Sequence, residues 1–292
     1  MQKPCISDYN IICVKNIFFS SGVNNINCET ITSRKNPGII AACSLADKKG
    51  RDATGLFATE GIKLLGELLD ENITVTELFF TDRAKQRYAD AINRACGTGA
   101  KLFEVTDEVY AKLSSEKNPE GVFAVAKKSK VYASCADTPG NGGFLILDGV
   151  QNPSNIGTVI RTASALGIQK ILLGPGCADI FSHKTLRASM GALFKVNICI
   201  AADLCKEIKY LLSSGCHVYA AALDKNSTDI RNTVFAAEDC IVLGNEGSGI
   251  SDEVLALCDK KVIIPMQQNT ESLNAATAAA ILMWEKQKGA LK

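Results

Sequence analysis

Three polar stretches of the chain carry the residue types that chemistry needs. "NPSNIGTVIRTASALG", Asn152 to Gly167, combines amides and hydroxyls with a single arginine, Arg161. "LGNEGSGIS", Leu243 to Ser251, sets Glu246 among Gly244, Gly247 and Gly249, glycines that permit positive φ angles and close approach of backbone to a ligand. "IPMQQNTESLNAATAAAILMWE", Ile264 to Glu285, places Ser272 and Asn274 ahead of an alanine-rich run, where a helix N-terminus would also present its unpaired N–H groups. Each stretch also has a purely local reading. Asn155 and Gly157 suit a turn and a helix cap, Glu246 a solvated turn, and Thr270, Ser272 or Asn274 the cap of the last helix. On a helical wheel, Ile156, Val159, Ile160 and Ala163 make an apolar face with Arg161 near its edge, which fits an exposed helix residue as well as a functional one.

Several other chemistries fall away. The glycine loop matches neither the dinucleotide fingerprint nor a P-loop, which removes the main support for phosphate hydrolysis. There is no Gly-x-Ser-x-Gly elbow, and neither His183 nor His217 belongs to a recognisable constellation with a paired carboxylate or nucleophile, so both read as structural or surface residues. The chain has 12 cysteines, but none forms Cys-x-x-Cys or stands at metal-ligand spacing from a histidine, so no metal is expected. They read as reduced, buried thiols of a cytoplasmic protein. A formal net charge of +1 gives no global pull on polyanions, so a nucleic-acid partner would have to meet a local basic patch.

The polar stretches follow short apolar runs. "GFLILDGV", "CIVLGNE" and "KKVIIPM" read as buried strands, and with "KILLG" and "HVYAAAL" they alternate with helical segments, the last from Ser272 to about Lys288. This pattern predicts a parallel sheet covered on both faces, with ligands at the strands' carboxyl ends. Three special strand ends in one half predict one shared pocket.

A second α/β pattern precedes this one, with strands at "TGLFATEG", "VTELFFTD", "AKLFEV" and "GVFAVAKK" and helices at "GIKLLGELLD", "AKQRYADAINRAC" and "TDEVYAKLSS". Between the halves, "KKSKVYASCADTPGNGG" is rich in Ser, Gly, Asn and Pro and reads as a linker. The expected organisation is an N-terminal extension, 1–30, a front domain, 31–127, a linker, 128–142, and a back domain, 143–292. Residues 1–30 read either as a disordered extension or as an appended edge strand. Their apolar run "IICVKNIFFSSGV" is interrupted by Lys15 and is shorter than the roughly 20 residues of a membrane span, so no membrane association is expected.

In order and spacing, the three stretches closely resemble the three motifs of the SpoU/TrmH RNA ribose 2′-O-methyltransferases of the SPOUT superfamily. "RASMGALFKVNI", Arg187 to Ile198, resembles the family's segment between its first two motifs. The front half, with "SRKNPGI" and "GLFATEGIKLLGELL", looks like the small α/β substrate-binding domain of ribosomal RNA members and of thiostrepton-resistance-type methyltransferases.

The resemblance implies a deep trefoil knot in the back domain, S-adenosyl-L-methionine as cofactor, a homodimer, and ribosomal RNA of the large subunit as substrate. A transfer-RNA enzyme, or a catalytically silent RNA-binding protein of the same fold, is the alternative. Carried over by motif, Asn155, Arg161, Glu246, Ser272 and Asn274 form the catalytic site. Gly244, Ile264 and Leu273 line the cofactor pocket, with Leu223 and Met266 as neighbours. Basic residues of the front half, Arg34, Lys35 and Arg51 together with Lys48 and Lys49, are expected to meet RNA.

Overall fold

The structure is a computed structural model that describes residues 28–224, 226–267 and 272–289. Thr270 and most of the N-terminal extension lie outside the described residues. The front half runs β1 (Glu29–Ile31), α1 (Pro37–Ser44), α2 (Lys48–Thr54), β2 (Leu56–Glu60), α3 (Ile62–Asp70), β3 (Val75–Phe80), α4 (Asp82–Arg87), α5 (Ala89–Gly97), β4 (Lys101–Val105), α6 (Asp107–Leu113) and β5 (Val122–Lys127). Its sheet has the order β1-β4-β3-β5-β2. The back half runs β6 (Leu145–Leu147), α7 (Pro153–Ala165), β7 (Lys170–Leu173), α8 (His183–Ser189), β8 (Asn197–Ile200), α9 (Leu204–Ser213), β9 (Val218–Ala221), β10 (Thr228–Asp229), β11 (Cys240–Leu243), α10 (Asp252–Leu255), β12 (Lys260–Ile263) and α11 (Ala275–Gln287). Its sheet is parallel throughout, in the order β10-β12-β9-β11-β6-β7-β8.

Alternation along the strands divides the back core into two layers. Leu145, Leu147, Ile171, Leu173, Ile241 and Leu243 face the side covered by α7 and α11. Ile146, Leu172, Cys199, Cys240 and Val242 face the side covered by α9 and α10. The chain goes outward from β6 to β7 and β8, then crosses to build the other half of the sheet from β9 to β12. The direction of winding therefore reverses between β6 and β11, and a crevice opens at their carboxyl ends.

Four expectations need correction. The boundary after residue 30 falls inside β1, which pairs in parallel with β4 at the edge of the front sheet. The expected helix "AKQRYADAINRAC" breaks into α4 and α5 at Tyr88, whose φ of −123° and ψ of 31° leave the helical region. Strands β8 and β10, of 4 and 2 residues, were not expected. The linker is a docked segment, because Tyr132 pairs with Cys199 at the free edge of β8 and Cys135 is buried in the layer under α9. The buried Glu207 carboxylate accepts from the Cys135 N–H (2.7 Å) and the Ser134 hydroxyl (3.2 Å). Polar composition concealed the few apolar residues that anchor this segment.

Candidate active site

Helix α7 starts directly after β6, with Pro153 in its first turn and Asn152 as its cap, whose side-chain oxygen accepts from Ser154 N at 2.9 Å. Asn155 is thereby released from capping. It is 8% exposed, its Nδ2 donates to Glu246 Oε1 (2.8 Å), and its Oδ1 accepts from Asn274 Nδ2 (3.2 Å). Asn274 caps α11, its Oδ1 accepting from Ala276 N (2.9 Å) and Thr277 N (3.4 Å). One residue from each polar stretch thus joins a single chain of hydrogen bonds, and the orientation of both amides follows. An ionised carboxylate only accepts and a backbone N–H only donates, so the two fixed ends leave one arrangement for the amides between them.

Burial pushes the Glu246 carboxyl up, but the Asn155 amide and backbone N–H groups of Glu246, Gln151 and Asn152 outweigh it, so it sits below its ordinary value. Glu246 is therefore an anion at neutral pH, an acceptor that orients Asn155. Its loop is built around Asn245. The Asn245 backbone exchanges hydrogen bonds with Gly249 (2.9 and 3.0 Å), its Oδ1 accepts from Gly247 N (2.8 Å) and Ser248 N (3.2 Å), and its Nδ2 donates to Gly149 O (2.7 Å). Asp148 holds the far end, its Oδ2 accepting from the Ser251 N–H and hydroxyl, both at 2.8 Å. A Cβ on Gly244 would lie 2.1 Å from the Gly249 carbonyl carbon, so only glycine lets the loop close.

Beside this loop is a cavity of about 540 Å³, walled by the carboxyl ends of β9, β11 and β12 and by the start of α11. Leu223, Gly244, Ile264, Met266 and Leu273 all line it, as do Glu246 and Ser272. Arg161 stands apart. It is exposed on α7 and makes no side-chain hydrogen bond or ion pair among the described residues. Six residues beyond Asn155, it is about 9 Å further along the helix and about 120° around it. Cys177, whose thiol donates to Leu147 O, is pushed by burial up to about 11, so it is no thiolate nucleophile at neutral pH.

In the front half, Arg34 and Lys35 are exposed ahead of α1, and the Arg34 carbonyl is held by Lys112 Nζ at 2.7 Å. Arg51 does not fit the expected RNA contact. It is 3% exposed, and its guanidinium is used up on Asp179 and on the carbonyls of Leu45 and Ala46. The ligand atoms of Glu60, Glu116 and His183 lie within 4.8 Å of one another, but Glu60 already accepts from Tyr110, Ser114 and Ser115, and Glu116 is paired with Arg187. Sequence reasoning missed Asp148, Asn245 and Asp179. Only Asn245 had a local signal, an Asx residue opening a glycine turn.

Residues 143–284 match the SpoU rRNA Methylase family, and residues 28–124 match the MRM3-like substrate binding domain. A relative from Bacillus subtilis, 23S rRNA (guanosine(2553)-2′-O)-methyltransferase RlmP, is 30% identical over 254 residues, 87% of this chain and 97% of the relative. The chain belongs to the SpoU family. Among solved structures, an AdoMet-bound rRNA methyltransferase from Sinorhizobium meliloti superposes on this SpoU protein with a TM-score of 0.81 at 29% identity, covering 91% of this chain and 99% of the other. A TrmH-family protein from Porphyromonas gingivalis gives 0.75 at 34% identity, covering 86% and 97%. The α/β expectation for both halves and the family resemblance are thereby borne out.

Proposed function

We propose that this SpoU-family RNA methyltransferase transfers a methyl group from S-adenosyl-L-methionine to a ribose 2′-hydroxyl of large-subunit ribosomal RNA. The observation that carries the reading is the meeting of all three polar stretches in one hydrogen-bonded chain, whose member Glu246 also lines the cavity.

The cavity suits the cofactor. Leu223, Ile264, Met266 and Leu273 supply apolar walls, and the loop from Gly244 to Gly249 brings backbone groups close without side-chain obstruction. When bound, the cofactor supplies an activated sulfonium methyl, so no metal is required. The protein's task is to align a hydroxyl and help it lose its proton. Asn155 and Asn274, fixed by Glu246 and by the α11 N-terminus, hold the ribose or its backbone, and Ser272 adds a hydroxyl on the cavity wall. Arg161 has its whole fork available, and a guanidinium that stays protonated acts as a clamp on phosphate and developing alkoxide rather than as a base.

The front domain's resemblance to a substrate-binding domain, with Arg34 and Lys35 exposed on it, supports ribosomal RNA as the substrate. No helix among the described residues is long and apolar enough to cross a membrane. Action in the cytoplasm belongs to this reading. So does a homodimer, for which Ile281 and Trp284 offer exposed apolar surface on α11. Calorimetry with S-adenosylmethionine, followed by ribose-methylation mapping of total RNA from cells with and without the protein, tests the proposal. Binding together with one lost 2′-O-methyl mark is expected. A folded protein that binds no cofactor would instead be a silent RNA-binding member of the fold.

A further inference from the structure

The segment from Asp179 to Lys195 lies between the first two polar stretches and contributes nothing to the cavity wall. Among the described residues, every ion pair between the two halves ends on it. Arg51 meets Asp179 at 2.7 Å, Glu116 meets Arg187 at 2.5 Å and His183 at 3.8 Å, and Glu67 meets Lys195 at 2.6 Å. Apolar packing joins them there. Phe57 of β2 has its ring 5.2 Å from that of Phe181 and 5.8 Å from that of Phe194. Gly191 leaves no room for a Cβ, which would lie 2.4 Å from Glu67 Cγ. Domains of one chain move relative to each other by default, unless their interface is large and apolar, and here one buried cluster runs through both halves.

Arg51 is the most constrained member. Nε and Nη2 donate to Asp179 Oδ2 (3.1 and 2.7 Å), and Nη1 donates to Leu45 O (2.8 Å) and Ala46 O (2.7 Å). Asp179 is fixed in turn, because its other carboxylate oxygen accepts from Phe181 N (2.8 Å) and its carbonyl accepts from Thr185 Oγ1 (2.9 Å). The preceding residue, Ala178, donates its N–H to Val150 O (3.0 Å), two positions before the Asn152 cap of α7. A bonded path therefore runs from the front domain to the start of the helix bearing Asn155 and Arg161. A buried ion pair gains little net stability against its desolvation, and its best-attested use is to specify one arrangement over others. The planar guanidinium fork, tied at four points, does that in a way an ammonium cannot.

We propose that Arg51 is a positioning residue for methyl transfer, holding the front domain, and the RNA bound to it, in one orientation relative to Asn155 and Arg161. The inference rests on the RNA-methyltransferase reading above. Its test uses the full chain with Arg51→Ala, Arg51→Lys and Asp179→Asn, read by small-angle X-ray scattering, cofactor calorimetry, and kcat and KM on a ribosomal RNA fragment. The expected result is altered scattering, unchanged cofactor affinity, a KM for RNA within a few-fold of the parent, and a kcat lower by about 100-fold, the scale of a one-ångström misplacement. Scattering and kcat that match the parent would overturn the proposal. So would loss of cofactor binding in step with kcat, which would assign the pair to stability alone. Should Arg51→Ala fail to fold, Arg51→Lys and Asp179→Asn, which keep side-chain volume, decide the same question. A parent protein that methylates no RNA would refute the functional reading, while scattering would still show whether the pair fixes the domains.

Discussion

Asn155→Asp changes one link of the hydrogen-bonded chain and almost no volume. The new carboxylate still accepts from Asn274 Nδ2, but it confronts Glu246 Oε1 where the parent has an N–H···O bond of 2.8 Å. Two unit charges at that separation repel by about 6 kcal/mol at an effective dielectric of 20, and by about 1.5 kcal/mol in bulk water. Glu246 is exposed on its loop, which places the net cost between these limits, at about 2–3 kcal/mol. The sign of the pH dependence follows from the shared proton. Facing carboxylates raise the folded-state value of the pair above that of the unfolded chain, so the penalty is absent at low pH and develops as pH rises through the folded value. In the parent, Glu246 is held below its ordinary value, so its contribution is present at neutral pH and is lost only as pH falls through the acid range. Urea unfolding of parent, Asn155→Asp and Asn155→Ala at about pH 5 and about pH 8 separates the cases. The aspartate variant should lose more stability at the higher pH, whereas the alanine variant should lose about 1.5–3 kcal/mol at both, the worth of a hydrogen bond to a charged group. An aspartate variant as stable as the parent at pH 8 would refute the Asn155–Glu246 link.

Gly244→Ala should weaken S-adenosylmethionine binding by about tenfold or more in calorimetry, because its Cβ would press on Gly249 and Ile250 and open the loop. Arg161→Ala should leave the unfolding midpoint nearly unchanged, since the exposed side chain has no described partner, yet cut methyl transfer by about 100-fold at nearly constant cofactor affinity. Arg161→Lys should recover little of that loss, and near-normal turnover in it would remove the clamp. Joint reversal of Arg34 and Lys35 to glutamate should lower RNA affinity and flatten its salt dependence while cofactor binding stays the same, as a filter-binding salt series would show.

What the sequence made legible was what depends on local pattern. Polar residues directly after buried strands marked the crevice, and the cap of α11 could be placed near Asn274 because an amide before an alanine run has a clear structural meaning. Local pattern offered Asn155 as the cap of α7, whereas Asn152, directly before Pro153, takes that role and the tertiary contact with Glu246 holds Asn155 elsewhere. Arg51 was misread for a related reason. Its partner lies 128 residues away, and nothing in "KKGRDAT" distinguishes a buried arginine from the exposed lysines beside it.

The route of the hydrogen-bonded chain has a consequence for synthesis. Strand β6 pairs with β11, whose register sets Leu147 opposite Leu243, and Asn155 is not fully held until Asn274 arrives, 119 residues later. The front domain's strands can pair early, but Phe57 then waits for Phe181 and Phe194 to cover it. Pairings of such sequence separation form late. A nascent chain that has not yet reached Asn274 therefore carries a nearly finished front domain without the hydrogen-bonded chain of the candidate site, which closes only when that residue has been made.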